Sequence, residues 1–445
     1  MRPGARTLAF AVLALLLGGV LWKGAHAAGM SPRTRVLVFG VDAGEWDVLG
    51  PLLAQGRCPN FARLRAEGSA GKLRSFVPLT RSPVIWTSIA TGKTPEKHGI
   101  HDFYAKARQV ETDGDDVAPA GHRPNTSNMW KARPVWDILG SLGRTVGVVG
   151  WWVTWPAQPV NGVLLTDLLQ YDPKQWPSGR TQMTYPESLS AMAERLRRTP
   201  ESVSWAEVFQ FVAPFDTTKV TPRQEQLVHS LKAIYASDLT FYRSGLELYR
   251  RNHSDFFAMY FRGVDEICHC YWDIALPSGS IDPGLMDPPL TKAEAAWLKP
   301  LIPNYYVFTD RLLGAFLEEA GKDTDVIVCS DHGFGGGGIG VLAHKPDGII
   351  FMRGPHVIRG GTITGATVLD ITPTILALYG LPVAQDMDGR PIATGLKPDV
   401  VRRVTRETKL QTYETARAKG KNEEPLRSPV DEELRERLRS LGYIQ

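Results

Sequence analysis

"VLVFGVDAGEWD" (residues 36–47) carries an unbroken apolar run straight into an acid-bearing turn. A strand buried on both faces needs apolar side chains at successive positions, so the run reads as an interior strand of a parallel sheet. Asp42 stands where that strand ends. A carboxylate there either caps the following helix or holds something charged, and this stretch alone favours the cap. Three further runs share its character: "TVGVVGWW" (145–152), "FFAMYFRGVD" (256–265) and "DVIVCSDHG" (325–333). Helical patterns lie between them: "CPNFARLRAEG" (58–68), "PVWDILGSLG" (134–143) and "YYVFTDRLLGAFLEEAG" (305–321). The alternation predicts an α/β fold with a doubly wound, mostly parallel sheet. "VLDITPTILALYGLP" (368–382) reads as a late helix stopped by Gly380 and Pro382.

The chain has 445 residues, 43% hydrophobic and 22% charged, an ordinary globular composition. A formal charge of +4 is small for this length and gives no reason to expect nucleic-acid binding. Residues 1–28 read as a signal peptide. Arg2 and Arg6 precede "LAFAVLALLLGGVLW" (8–22), and "AHA" (25–27) fits a small-x-small cleavage rule. The run falls short of the roughly 20 residues of a spanning helix; an uncleaved anchor is the competing reading, and membrane contact is expected only in that case. The protein is therefore expected to be exported, periplasmic or secreted.

Cys58, Cys268, Cys270 and Cys329 are too few for a disulfide framework. The spacing of Cys268 and Cys270 suits one face of a strand, with packing roles. A catalytic domain is expected over 33–400. Stretches such as "APAGHRPNTSNMW" and "DPKQWPSGRTQMTYPESL" break the alternation and predict a cap inserted at about 105–255. "ALPSGSIDPGLMDPPL" (275–290) predicts a rim loop. Residues 401–445 read as a polar linker and a charged amphipathic helix that packs back on the domain.

Three of the apolar runs exit into an acid: Asp42, Asp265 and Asp331. Ligands of open parallel sheets sit beyond the carboxyl ends of the strands. Three carboxylates gathered there repel one another unless a cation holds them. Two of these acids have a histidine close by. "DEICH" sets His269 four residues after Asp265, on one face if the segment is helical. "SDHG" sets His332 beside Asp331, and "AHKPDG" brings His344 a short loop later. His98, His101 and His356 read as ordinary surface or core histidines, with His356 in reserve.

In "LTRSPVIWTSIATGKTPEKHGI" (79–100), Pro83 at a first helical position makes Ser82 the expected N-cap. The same place puts a hydroxyl at the positive end of a helix, which suits phosphate. A serine hydroxyl needs activation, and a divalent cation provides it. Thr80 is the neighbouring alternative. "GKT" (92–94) is no P-loop, because Thr87 stands where that motif needs glycine, and "GFGGGG" (333–338) lacks a dinucleotide-binding context.

Taken together, "GVDAGEWD", "SPVIWTSIATGKTPEKHGI", "VDEICH", "SDHG", "AHKPDG" and "DITPTILALYGLP…DMDGRPI" resemble the alkaline phosphatase superfamily, nearest its type I phosphodiesterase/nucleotide pyrophosphatase branch. The resemblance covers most of residues 35–395. It implies two divalent metal sites, one with Asp42, Asp331, His332 and Ser82, the other with Asp265, His269 and His344. The mixed shell suits zinc, with manganese the alternative. It further implies attack by Ser82 on a phosphate ester and hydrolysis of a phosphoseryl intermediate, with a nucleotide or lipid head group among the substrate classes. Transfer to a glycan or lipid acceptor, and a non-catalytic envelope protein that keeps the fold, are the rival readings. Ser82 stands where the branch usually has Thr. Asp102 and Phe103 replace the phosphate-contacting Asn pair of nucleotide pyrophosphatases, which argues against that activity. Val84 and Trp86 replace the Pro and Arg that sulfatases carry after their modified residue. Trp151, Trp152, Trp155 and Trp176 either shape a substrate pocket or pack the core.

Overall fold

The computed structural model describes residues 34–106, 122–171, 181–275, 290–335, 340–406, 410–415 and 424–443. The expected signal peptide, the rim loop apart from Leu290, most of the glycine run and Trp176 lie outside them. Nine strands form the main sheet: β1 (Arg35–Val41), β2 (Ser69–Arg74), β3 (Val146–Val149), β4 (Gly162–Leu165), β5 (Thr184–Tyr185), β6 (Phe256–Phe261), β7 (Thr324–Cys329), β8 (Asp347–Arg353) and β9 (Gly361–Thr367). Their order is β9-β2-β8-β7-β1-β6-β3-β4-β5. The five strands from β7 to β4 are parallel. β8 runs antiparallel to β7 and β2, and β5 antiparallel to β4. The sheet is thus mixed but mostly parallel, as expected.

β1 lies at the centre, and Val36 to Val41 are all buried. Its alternate side chains meet opposite layers. Phe39 packs edge-on against Phe316, ring centroids 5.9 Å apart, from helix α4 (Leu301–Ala320). At Gly40 a Cβ would stand 2.8 Å from the Trp86 ring of helix α1 (Ser82–Thr91), so only glycine lets that helix approach. Both faces are covered, which is why the strand reads as a continuous apolar run.

The cap expected at about 105–255 is corrected in large part. This stretch supplies β3, β4 and β5 to the sheet's far edge, and helix α2 (Pro222–Asn252) packs on β3 and β6. The 31-residue helix begins with a reciprocal capping box, Thr221 with Gln224, and Pro222 in its first turn. It ends at His253, whose φ of 45° stops the ladder. Its apolar face, with Leu227, Val228, Leu231, Ile234, Phe241 and Leu248, is itself periodic; the Pro- and Trp-rich stretches that precede it made the whole segment read as irregular. Cys268 and Cys270 are also corrected, since both lie on helix α3 (Gly263–Ala275) and not on a strand, and all four thiols are free. The lysine of "GKT" is structural: buried Lys93 pairs with Asp386 at 2.6 Å and Glu414 at 2.9 Å.

Behind the strand ends, Tyr305 donates to Asp238 Oδ2 at 2.9 Å, and Gly263 at the start of α3 sits against both. Burial pushes the Asp238 carboxyl up to about 7, more than the Tyr305 hydrogen bond draws it down. The folded state therefore binds this proton more tightly than the unfolded chain. The stability it lends is complete below about pH 4 and lost as pH rises through about 7, roughly 4 kcal/mol at most. Asp238→Asn should leave stability at pH 4 nearly unchanged and raise it at pH 8, flattening the profile between. Urea unfolding at both pH values checks this; parallel profiles for the two proteins would refute it.

Candidate active site

The acids Asp42, Asp331 and Asp265 follow β1, β7 and β6, three adjacent strands in the order β7-β1-β6. Neighbouring strands lie about 4.8 Å apart, so side chains leaving the three ends must converge. Each acid is at least 96% buried. After Asp42 the chain turns through Ala43, whose φ of 54° is rare for a residue with a Cβ. The Ala43 N–H donates to Asp331 Oδ1 at 3.4 Å, which couples two of the strand ends.

His332 lies 3.3 Å by Nε2 from both Asp42 Oδ1 and Asp331 Oδ2. Helix α3 carries Asp265 and His269 four residues apart, with His269 Nε2 3.4 Å from Asp265 Oδ1. His344 enters on the short strand His344–Lys345, paired with Gly333–Phe334, and its Nε2 is also 3.4 Å from Asp265 Oδ1. Ser82 Oγ stands 3.5 Å from His332 Nε2. All seven residues singled out in the sequence thus meet in one buried pocket. His98 instead bonds Ser88 at 2.9 Å inside the core, and His356 pairs with Asp325 at 2.6 Å, near the start of β7.

Two details differ from expectation. Arg81, not Ser82, is the N-cap of α1, and its carbonyl takes the first helical N–H groups. The Ser82 hydroxyl makes no cap bond and is left facing His332. Asp265 was expected in one metal set only, yet among the described residues two groups have all their donor atoms within 4.8 Å of one another, Asp265–His269–His344 and Asp42–Asp265–His332.

The hydrogen bonds explain why these groups suit cations. His332 Nδ1 faces the Gly333 carbonyl at 3.1 Å, and a carbonyl only accepts, so Nδ1 carries the proton. In the neutral ring Nε2 then presents a lone pair to two carboxylate oxygens and a hydroxyl. Burial pushes His332 down to about 4, so the ring is neutral at ordinary pH. Asp42 Oδ1, Asp265 Oδ1 and Asp331 Oδ2 are buried with no hydrogen-bond donor. Burial pushes Asp42 and Asp331 up, with the charges of Asp265 and Asp42 respectively adding to it. Asp265 moves the other way. Burial opposes its ionisation, but His269 and His344 outweigh that and hold it well below the usual range. Oxygen and nitrogen lone pairs turned inward on one buried point fit divalent cations.

Sequence reasoning missed the groups that aim these ligands. Trp86 Nε1 donates to Asp42 Oδ2 at 3.2 Å, and Tyr260 donates to the same oxygen. Trp152 Nε1 donates to Tyr260 Oη at 2.6 Å. Of the tryptophans offered for a pocket, Trp152 lines the cavity beside Ser82, whereas Trp151 packs edge-on against Trp86 in the core. Asp102 accepts from Arg81 Nε at 3.2 Å, and Phe103 joins Trp152 in the pocket wall. The signal for Tyr260 was a polar aromatic next to Gly40 across β1 and β6, a pairing no local pattern reveals.

A mostly parallel α/β sheet with acids and imidazoles gathered at its strand ends, beside a serine at a helix start, defines an alkaline phosphatase-like phosphohydrolase. The chain belongs to the type I phosphodiesterase/nucleotide pyrophosphatase family, whose sequence model matches residues 36–348 and so spans all seven site residues. This is a group of metalloenzymes that hydrolyse phosphoric diesters. A search among curated proteins found no match. Among solved structures, the chain is similar to a 2-O GAG sulfatase (12% identity, 85% of this chain and 76% of that one, TM-score 0.48). It is also similar to human ectonucleotide pyrophosphatase/phosphodiesterase 5 (14%, 80% and 97%, 0.43) and to phosphonoacetate hydrolase from Sinorhizobium meliloti 1021 (16%, 68% and 57%, 0.37). None of these likenesses bears on the chemistry of the site.

Proposed function

We propose that the protein is an exported phosphodiesterase that works with two divalent cations, zinc by preference, through a phosphoseryl intermediate. The observation that carries this is the free Ser82 hydroxyl, unused by the helix it begins and turned toward a pocket of inward-facing lone pairs. Bound cations would supply Lewis acidity there, and two of them balance three carboxylates and one serine oxygen, so an anionic ester enters without large repulsion. Asp42, Asp331 and His332 would hold the one nearer Ser82, and His269 and His344 the other, with Asp265 placed to reach both. Ser82 Oγ attacks phosphorus while the bond to the departing alcohol breaks, and water then cleaves the phosphoseryl bond and restores the hydroxyl. The positive end of α1 favours the phosphoryl oxygens beside it. Trp86 and Tyr260 hold the Asp42 carboxylate in place throughout.

The substrate class is a small phosphate ester, a nucleotide or a lipid head group. A periplasmic or secreted location follows from the N-terminal segment. Among the described residues no helix is long and apolar enough to cross a membrane. A panel of aryl phosphodiesters, phosphomonoesters, phosphonates and sulfate esters, assayed with added zinc, tests the reading. The diesters should turn over fastest; a sulfate ester or monoester preferred by tenfold would sink it. Inclusion of alcohols in the assay separates hydrolysis from transfer.

A further inference from the structure

Helix α5 (Asp431–Ser440) and the residues after it form part of the pocket wall. Leu434, Leu438 and Leu441 line the pocket together with Ser82, Phe103 and Trp152. The helix is latched by Arg437, whose guanidinium meets both oxygens of Glu266 on α3, with Nε at 2.9 Å from Oε1. Its end is shaped to deliver one side chain. Gly442 has φ of 76°, its N–H bonds Arg439, and the Tyr443 N–H bonds the Leu438 carbonyl at 3.0 Å. That is a Schellman turn, which reverses the chain at a glycine. It sends Tyr443 inward, where the residue is 94% buried. Tyr443 Oη donates to Asp265 Oδ2 at 2.8 Å and lies 2.8 Å from His269 Nε2 and 3.2 Å from His344 Nε2.

These three partners are the whole of the second donor set. A site of three protein ligands is catalytic when its remaining position is open and closed when a fourth side chain fills it. Tyr443 is a phenol, and an alcohol or phenol oxygen is also what a phosphate ester releases. We propose that Tyr443 occupies the position of the substrate's departing oxygen, so that residues 430–443 form a gate which the ester must displace. The inference rests on the metal-site reading given above. A ligand that binds only the open form has its apparent affinity reduced by the fraction of molecules that are open. The tail therefore sets the affinity for substrate, and substrates with a strongly held leaving group are favoured over those without.

The test compares the zinc-loaded full chain with Tyr443→Phe and Gly442→Ala. The first removes the oxygen and keeps the ring; the second strains the turn that aims it. Zinc content and equilibrium binding of inorganic phosphate are measured, then KM and kcat for an aryl diester. Both variants should bind phosphate at least about threefold more tightly, with KM lowered by a similar factor and kcat not reduced. Equal phosphate binding and KM in all three proteins would overturn the gate while leaving the site intact. A fall in kcat at unchanged KM would also overturn it, by making Tyr443 a group used in the reaction. Failure of every form to bind zinc or phosphate would remove the metal-site reading and the gate together.

Discussion

Ser82→Ala should lower kcat for an aryl phosphodiester by about a thousandfold or more, equivalent to roughly 4 kcal/mol in the barrier. The size follows from losing the covalent route altogether, because among the described residues Ser82 is the one hydroxyl within hydrogen-bond distance of the His332 ring. Thr80, the alternative nucleophile, lies before the helix begins. The substitution should cost the fold little. Arg81 caps α1 through its carbonyl and Pro83 fixes the first turn, so the helix begins equally well with alanine. Ser82→Thr keeps a hydroxyl at the same place and should retain measurable turnover. Steady-state kinetics with circular dichroism as a control decides the matter, and full activity in the alanine variant would end the proposed mechanism.

Asp265→Ala should strip both cations, where His269→Ala removes one. The asymmetry comes from geometry: Asp265 belongs to both groups of converging donors, whereas His269 belongs to one. Zinc analysis after dialysis should give about two ions per chain for the unaltered protein, about one for His269→Ala and almost none for Asp265→Ala. Turnover should disappear in the last and on treatment of the unaltered protein with a chelator. Removal of the ions also leaves three buried carboxylates facing one another, so the stripped protein should melt at lower temperature and regain its stability when zinc is restored. Two retained ions in Asp265→Ala would show that the shared carboxylate is not a ligand.

Much of this site was legible before the structure. The apolar runs at 36–41, 256–261 and 326–329 mark doubly covered strands because burial on both faces is a local property of side chains. Asp42, Asp265 and Asp331 stand out because each terminates such a run. Asp265 and His269 share a helix face by simple periodicity. The strand β8 was not foreseen, since its antiparallel entry between β7 and β2 depends on partners remote in sequence. The same holds for α2, read as cap material.

What the sequence determined by itself was the kind of layer each segment enters and the chemistry waiting at each strand end. Both follow from residue type and spacing within a dozen positions. Only the tertiary structure decided that β7, β1 and β6 are neighbours, that the Ser82 hydroxyl is spared from capping, that Asp265 stands in two groups of converging donors, and that Tyr443 reaches them from the end of α5. Strand order and the docking of a distant helix are set by which surfaces bury one another, and those free energies belong to pairs of segments that no local pattern contains.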